Sequence, residues 1–304
     1  MRESNGRGRF VLTRRDQLKA LLPLAAAMVL PGRSFAASAS GDDAVTAFEA
    51  LELREGGRLG VMVLDTGTGA RTGYRADELF LLCSTFKFVL GAAILQGMDA
   101  GRISLDREIP VSADDMVGMS PVTEQYIGRS MTVGELCHAT ITQSDNPAAN
   151  LLIREIGGPQ SVTDFLRALG DSVTRLDRYE PHLNAPNVAA GDKLDTTSPA
   201  AMADTMQKIV LGEVLTPASR EIMIGWLKAT VTGPDRLRRG LPEDWAFGHK
   251  TGTGEDGPTN DIGITWPPDR PPLVVTVYYD RQGRTMKENA TVLAEGGRIV
   301  GRFV

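Results

Sequence analysis

The chain has 304 residues, 42% hydrophobic and 23% charged, with 33 basic and 38 acidic side chains. This is the composition of a globular protein of one large or two intertwined domains, and beyond the N-terminus it excludes a disordered chain. Residues 1–36 hold seven of the basic and two of the acidic side chains, leaving 26 and 36 on the rest and a formal charge near −10; such a surface repels nucleic acid and anionic membranes.

Those seven basic residues (Arg2, Arg7, Arg9, Arg14, Arg15, Lys19, Arg33) are combined with an apolar run, Ala20–Leu30, and small residues over Ser34–Ala39. This is the plan of an export signal, with cleavage after Ala36, Ala37 or Ala39. Within it, Thr13-Arg14-Arg15-Asp16-Gln17-Leu18-Lys19 resembles the twin-arginine signal that exports folded proteins. The expected location is therefore periplasmic or secreted, with no membrane anchor in the mature form.

After the signal, Asp42–Glu55 reads as an amphipathic helix stopped by Gly56-Gly57, and Leu59–Asp65 and Arg71–Tyr74 as two strands of a hairpin. Leu79–Met98 is apolar almost all the way round and carries one charge, Lys87. A lysine in mid-span costs roughly 2.5–3.5 kcal/mol in a bilayer, so the run is read as the central core helix of a soluble protein. Ser84 and Lys87 are i and i+3 on one helix face. Ser-x-x-Lys thus places a hydroxyl beside a potential base, as an activated nucleophile requires; the alternative is a chance pair whose lysine snorkels to the surface.

Thr132-Val133-Gly134-Glu135 is a capping box that starts a helix to about Thr142. Further helices are expected at Ala148–Ile156, Ser161–Leu169, Pro199–Leu211 and Pro217–Ala229. Val173–Asp195 lacks periodicity, and a loop of that length inside a compact domain is usually functional. Strands return at Trp245–Thr253, Ile262–Trp266 and Leu273–Tyr279, before a helix near Lys287–Val300. The expected fold is α/β of the α+β kind: a five-stranded antiparallel sheet built from both termini (40–75 plus 230–304), flanked by helices, with an inserted all-helical domain (76–229) and the site at their junction.

The three histidines (His138, His182, His249) are far apart, without zinc spacing, and read as surface or packing residues; no phosphate-binding glycine motif follows a strand. Neither metal nor cofactor is expected. Cys83 and Cys137 read as free thiols.

Four short motifs, Ser84-Thr85-Phe86-Lys87, Ser144-Asp145-Asn146, Glu180-Pro181-His182-Leu183-Asn184 and Lys250-Thr251-Gly252, occur in an order and spacing that resemble the class A serine β-lactamases from about Leu59 onward. The resemblance implies a β-lactamase-like fold, a small-molecule β-lactam substrate, a monomer and a set of roles. Ser84 would attack the lactam carbonyl, with its own backbone N–H and that of Thr253 as oxyanion donors. Lys87 and Glu180 are both candidate bases for acylation, and Ser144, steered by Lys250, would pass a proton to the ring nitrogen. Glu180 and Asn184 would hold the hydrolytic water, Asn146 the acyl side chain, and Thr251 and Thr253 the substrate carboxylate. Asp145 would be structural, and Arg178 and Asp195 would clamp the loop.

The sequence departs from the family pattern at several points. Thr259 and Ala290 stand where an assisting arginine is often found, and Arg236 matches the other location used by some members. The loop is about two residues longer between Asn184 and Asp195. The cysteine that some members pair with the residue at 83 would fall at Gly254, and Met119 stands at a rim position that is often aromatic. Hydrolysis of penicillins and cephalosporins is the expected activity. A penicillin-binding D,D-peptidase or β-lactam sensor shares two of the motifs but does not need Glu180, and a periplasmic binding protein would not require Lys87 in a core.

Overall fold

The computed structural model describes residues 41–185 and 193–303. The expected export signal and residues 186–192 of the long loop, within the stretch expected to be longer than in the family, lie outside them. The elements in chain order are α1 (Gly41–Glu55), β1 (Arg58–Asp65), β2 (Arg71–Tyr74), β3 (Phe80–Leu81), α2 (Phe86–Asp99), β4 (Glu108–Val111), β5 (Arg129–Thr132), α3 (Val133–Thr142), α4 (Asn146–Glu155) and α5 (Pro159–Ala168). They continue as β6 (Thr196–Thr197), α6 (Pro199–Val210), α7 (Pro217–Lys228), α8 (Leu237–Gly240), β7 (Ala246–Thr253), β8 (Thr259–Trp266), β9 (Leu273–Asp280) and α9 (Met286–Phe303).

The main sheet runs β2-β1-β9-β8-β7, antiparallel throughout, so the first strand of the chain is sealed by the last. Side-chain alternation gives it two buried faces. Val61, Val63, Val275 and Val277 point to one core, shared with Phe48 of α1 and Leu293 and Val300 of α9. Met62, Leu64, Val274 and Tyr278 point to the other, which they share with α2 and the remaining helices. Coverage on both sides is why β9 reads as a nearly unbroken apolar run rather than an alternating one.

α2 is the axis of the second core: Phe86, Phe88, Leu90, Ile94 and Leu95 are all buried around it. The apolar run is not one helix, however. Phe80–Leu81 pairs with Thr196–Thr197, the Leu82 N–H donates to Asp195 O at 2.8 Å, and a 3₁₀ turn, Cys83–Thr85, precedes α2. An apolar stretch without polar punctuation cannot be divided into strand and helix by periodicity; here a distant pairing partner makes the division. The predicted capping box is present, with Glu135 N–H donating to Thr132 Oγ1 and the Glu135 carboxylate accepting from Thr132 N–H. Among the described residues no helix is long and apolar enough to cross a membrane.

Candidate active site

Ser84 occupies the 3₁₀ turn at the entrance to α2, and Lys87 lies one turn on, fully buried. The lysine amine is within 3.0 Å of Glu180 Oε1 and donates to the Ser144 carbonyl at 2.8 Å and Asn146 Oδ1 at 2.6 Å. Three acceptors match the three protons of an ammonium. Burial pushes the amine below the ordinary lysine value, and the Glu180 carboxylate opposes it. The Ser84 hydroxyl donates to the same Glu180 oxygen at 3.4 Å. Glu180 therefore joins nucleophile and lysine through one atom.

Ser144 holds a left-handed backbone, φ 61°, which costs a non-glycine residue about 1–2 kcal/mol. The strain is held by its surroundings: its carbonyl accepts from Lys87, and its hydroxyl accepts from Lys250 Nζ at 3.0 Å. Asp145 caps α4 through Ala148 N–H and accepts from the Val122 and Thr123 backbone, a structural role as the sequence suggested.

Strand alternation alone puts Lys250 on the face opposite Thr251 and Thr253. It still reaches Ser144 because β7 is the outermost strand and the side chain curls over its edge, donating to Thr251 O at 2.9 Å. Burial pushes this amine well below the ordinary lysine value, and the positive charges of Lys87 and Arg236 push it further, against Asp261 and Glu180. Arg236, also buried, donates to the carbonyls of Gly252 and Asn260, each at 2.8 Å, and to Thr253 Oγ1 at 2.7 Å. Gly233 permits this: a Cβ there would meet Thr251 Cγ2 at 2.6 Å and Arg236 Cδ at 2.9 Å, and its φ is 62°.

The long loop is built around Asp195. One of its carboxylate oxygens accepts from the Asp177 and Arg178 N–H groups, and the other binds the Arg178 guanidinium at 2.5 Å. Asn184 donates to Glu180 Oε2, while its own Oδ1 is buried without a partner among the described residues. The cleft has a volume of about 510 Å³ and is lined by Ser84, Ser144, Asn146, Asn184, Arg236 and Thr253, with Met119 and Met286 exposed on its rim.

Every site residue named from sequence thus lies in or beside one cleft. Four supporting residues were not named. Asn150 holds Glu180 by both backbone groups, accepting from its N–H at 3.0 Å and donating to its carbonyl at 2.9 Å. Its place four residues after Asn146, on the same helix face, was the available signal. Thr232 pairs with Thr251 at 2.6 Å, and Asn260 donates to the Leu81 carbonyl at 2.9 Å. Asp261 pairs with His249 at 2.8 Å, so that histidine is a buried polar partner, whereas His138 and His182 are exposed. Cys83 and Cys137 are buried free thiols, and burial pushes both up in pKa.

The sequence profile of the Beta-lactamase enzyme family matches residues 43–304. The chain belongs to the class A β-lactamase family. It is 48% identical to β-lactamase L2 of Stenotrophomonas maltophilia, over 88% of this chain and 89% of that protein. It is 44% identical to a β-lactamase of Streptomyces albus G, over 91% and 92%. Among solved structures, an ancestral class A β-lactamase of Gram-negative bacteria superposes with a TM-score of 0.82 at 54% identity, covering 84% of this chain and 98% of that one. A β-lactamase from Xanthomonas campestris gives 0.83 at 45%, covering 86% and 98%. With the family in hand, the five-stranded sheet, the buried lysine and the clamped loop are those of a β-lactamase.

Proposed function

We propose that this β-lactamase hydrolyses penicillins and cephalosporins through an acyl-enzyme on Ser84. The single observation that carries turnover, as opposed to trapping, is the pairing of Glu180 with an orphaned acceptor, Asn184 Oδ1. A buried acceptor without a donor costs about 1–3 kcal/mol, and a water held between Asn184 and Glu180 supplies that donor beside the ester to be cleaved. In the acylation half, Glu180 takes the Ser84 proton across the 3.4 Å contact as the serine oxygen bonds to the lactam carbonyl carbon. Developing charge on the carbonyl oxygen is met by the backbone N–H of Ser84 at the entrance to α2 and that of Thr253 at the end of β7. Ser144, held by Lys250, delivers a proton to the ring nitrogen as the C–N bond breaks. The proton taken up by Glu180 passes through Lys87, 3.0 Å from Glu180 Oε1 and 3.5 Å from Ser144 Oγ, so that both the Ser144 hydroxyl and the Glu180 carboxylate are restored. In the deacylation half, Glu180 deprotonates the water, which attacks the ester carbon, and Glu180 returns that proton to Ser84 Oγ as the ester C–O bond breaks. Lys87 stays an ammonium in the resting site, held by its three acceptors. Asn146 holds the acyl side chain, and Thr251, Thr253 and Arg236 the substrate carboxylate.

The protein acts as a monomer, exported through the twin-arginine route to the periplasm or medium; the basic and apolar pattern of residues 1–36 supports this placement. Replacing Arg14 and Arg15 by lysine should leave activity in the cytoplasm, and undiminished export would refute the route. The catalytic proposal is tested by incubating purified protein with a chromogenic cephalosporin while following colour and intact mass. Steady turnover supports it. A single stoichiometric adduct would identify a β-lactam sensor or D,D-peptidase instead, and neither signal a binding protein.

A further inference from the structure

Behind the carboxylate-binding side of the cleft lies a buried histidine–aspartate hydrogen bond that the mechanism above does not use. Asp261 of β8 sits opposite Thr251 of β7, and His249 is its diagonal neighbour on the same face. Asp261 is fully buried, and its two oxygens hold different elements. Oδ1 accepts from His249 Nδ1 at 2.8 Å, and Oδ2 accepts from the Leu237 N–H at 3.2 Å. Leu237 opens α8 and directly follows Arg236, so this second bond fixes the backbone from which the arginine departs. Beyond that backbone the guanidinium is pinned by Gly252 O, Asn260 O and Thr253 Oγ1, and its Nε has no partner among the described residues.

We propose that His249 and Asp261 are positioning residues for recognition of the substrate carboxylate: Asp261 ties β7 to the start of α8 and so holds Arg236 against Thr253. This rests on the reading of Arg236 and Thr253 as the carboxylate-binding pair. His249 fixes the orientation of Asp261, with the Phe247 ring 4.8 Å away holding the imidazole in turn. The carboxylate has a second effect. Arg236, Lys250 and Lys87 are three buried cations about one cleft, and Asp261 and Glu180 are the anions that offset the charge on Lys250. Removing the Asp261 charge lowers the Lys250 pKa further, so protonated Lys250 is lost at a lower pH.

The test uses a cephalosporin with a free ring carboxylate and the same compound as its methyl ester. Asp261→Asn is expected to raise KM for the acid roughly tenfold with kcat within about twofold, the signature of lost uniform binding. KM for the ester should not change, and the alkaline limb of kcat/KM for the acid should move to lower pH. His249→Asn, which keeps a donor toward Asp261, should hold KM for the acid within about threefold of wild type. If Asp261→Asn does not fold, His249→Leu leaves the carboxylate without its partner and should give the same acid-only rise. Equal losses on acid and ester, or an unchanged KM for the acid, would overturn the proposal. A crystal structure of the folded variant separates this from failure of the catalytic reading: an Arg236 guanidinium displaced from Thr253 supports the positioning role, and an unmoved one defeats it, whatever the turnover.

Discussion

α2 and the loop from Val173 to Asp195 both deliver a reacting group to the same point, and they are held in place by opposite kinds of interaction. The helix presents Lys87, with Ser84 in the turn before it, and is fixed by apolar packing of Phe86, Phe88, Leu90, Ile94 and Leu95. The loop presents Glu180 and Asn184 and is fixed chiefly by polar bonds: Asp195 to Arg178 and Asp177, and Asn150 to both backbone groups of Glu180. Apolar burial is large but non-directional, whereas a hydrogen bond to a named atom fixes an orientation. The nucleophile therefore depends on the stability of the whole core, and the base on a few specific bonds. Damage to the loop should slow deacylation more than acylation, because Lys87 on α2 can stand in for Glu180 toward Ser84 but not toward the water, and damage around α2 should lower stability while the chemistry of the folded fraction persists.

The strongest test of that division is Glu180→Gln. It keeps the shape of the loop and removes the carboxylate. Lys87, freed of that neighbouring charge, can still take the Ser84 proton as a neutral amine, whereas the hydrolytic water loses its base. Deacylation should therefore fall by roughly 10²–10⁴, more than acylation, and acyl-enzyme should accumulate in intact-mass spectra. Rapid release of product by the variant would remove Glu180 from its assigned role. On the helix side, Leu90→Ala leaves a cavity in the α2 core and should cost about 2–5 kcal/mol of stability, read as a shift in denaturation midpoint, with kcat at low temperature close to wild type. A large loss of kcat in fully folded protein would show that packing around α2 sets more than its position. Asn150→Ala comes next. It strands a buried N–H and carbonyl at Glu180, at about 1–3 kcal/mol, and pre-steady-state kinetics should show a retained acylation burst followed by slower turnover. Equal slowing of both phases would mean that Asn150 supports the whole cleft.

The same contrast explains what could be read without coordinates. Apolar patterning leaves a direct record in the sequence, so the core helix, its isolated lysine and the strands from both ends of the chain were legible. The polar frame was legible only where a short motif marks it. Ser144, Glu180, Asn184 and Lys250 stand in such motifs, and Arg178 and Asp195 followed from the resemblance. Asn150, Thr232, Asn260 and the His249–Asp261 pair did not, because their partners are backbone groups or side chains brought close only by sheet register and loop closure. The start of α2 was misplaced for a related reason: Phe80–Leu81 becomes a strand through its pairing with Thr196–Thr197 at the far end of the loop.

The smallest predicted effect concerns pH, and it separates the chemistry of the cleft from the stability of the fold. Lys250 and Lys87 both lie below the ordinary lysine value, in each case first because they are buried. In the unfolded chain the same amines titrate near the ordinary value, so between the folded and unfolded pKa values the unfolded state binds more protons. In that window their contribution to stability rises with pH. Activity should run the other way, since Ser144 is steered by a charged Lys250 and that charge is lost as pH rises through the folded pKa. As pH rises toward the ordinary lysine value, kcat/KM should therefore decline before the melting temperature does. Lys250→Arg keeps a charge that cannot be titrated away, so its alkaline limb should lie at higher pH than that of the wild type, even if its maximum is lower. A melting temperature that fell in parallel with activity, or an alkaline limb identical in the two proteins, would mean that unfolding or another group limits the reaction there. The loss would then belong to the core around α2 or to the loop, and not to the amine that curls over the edge of β7.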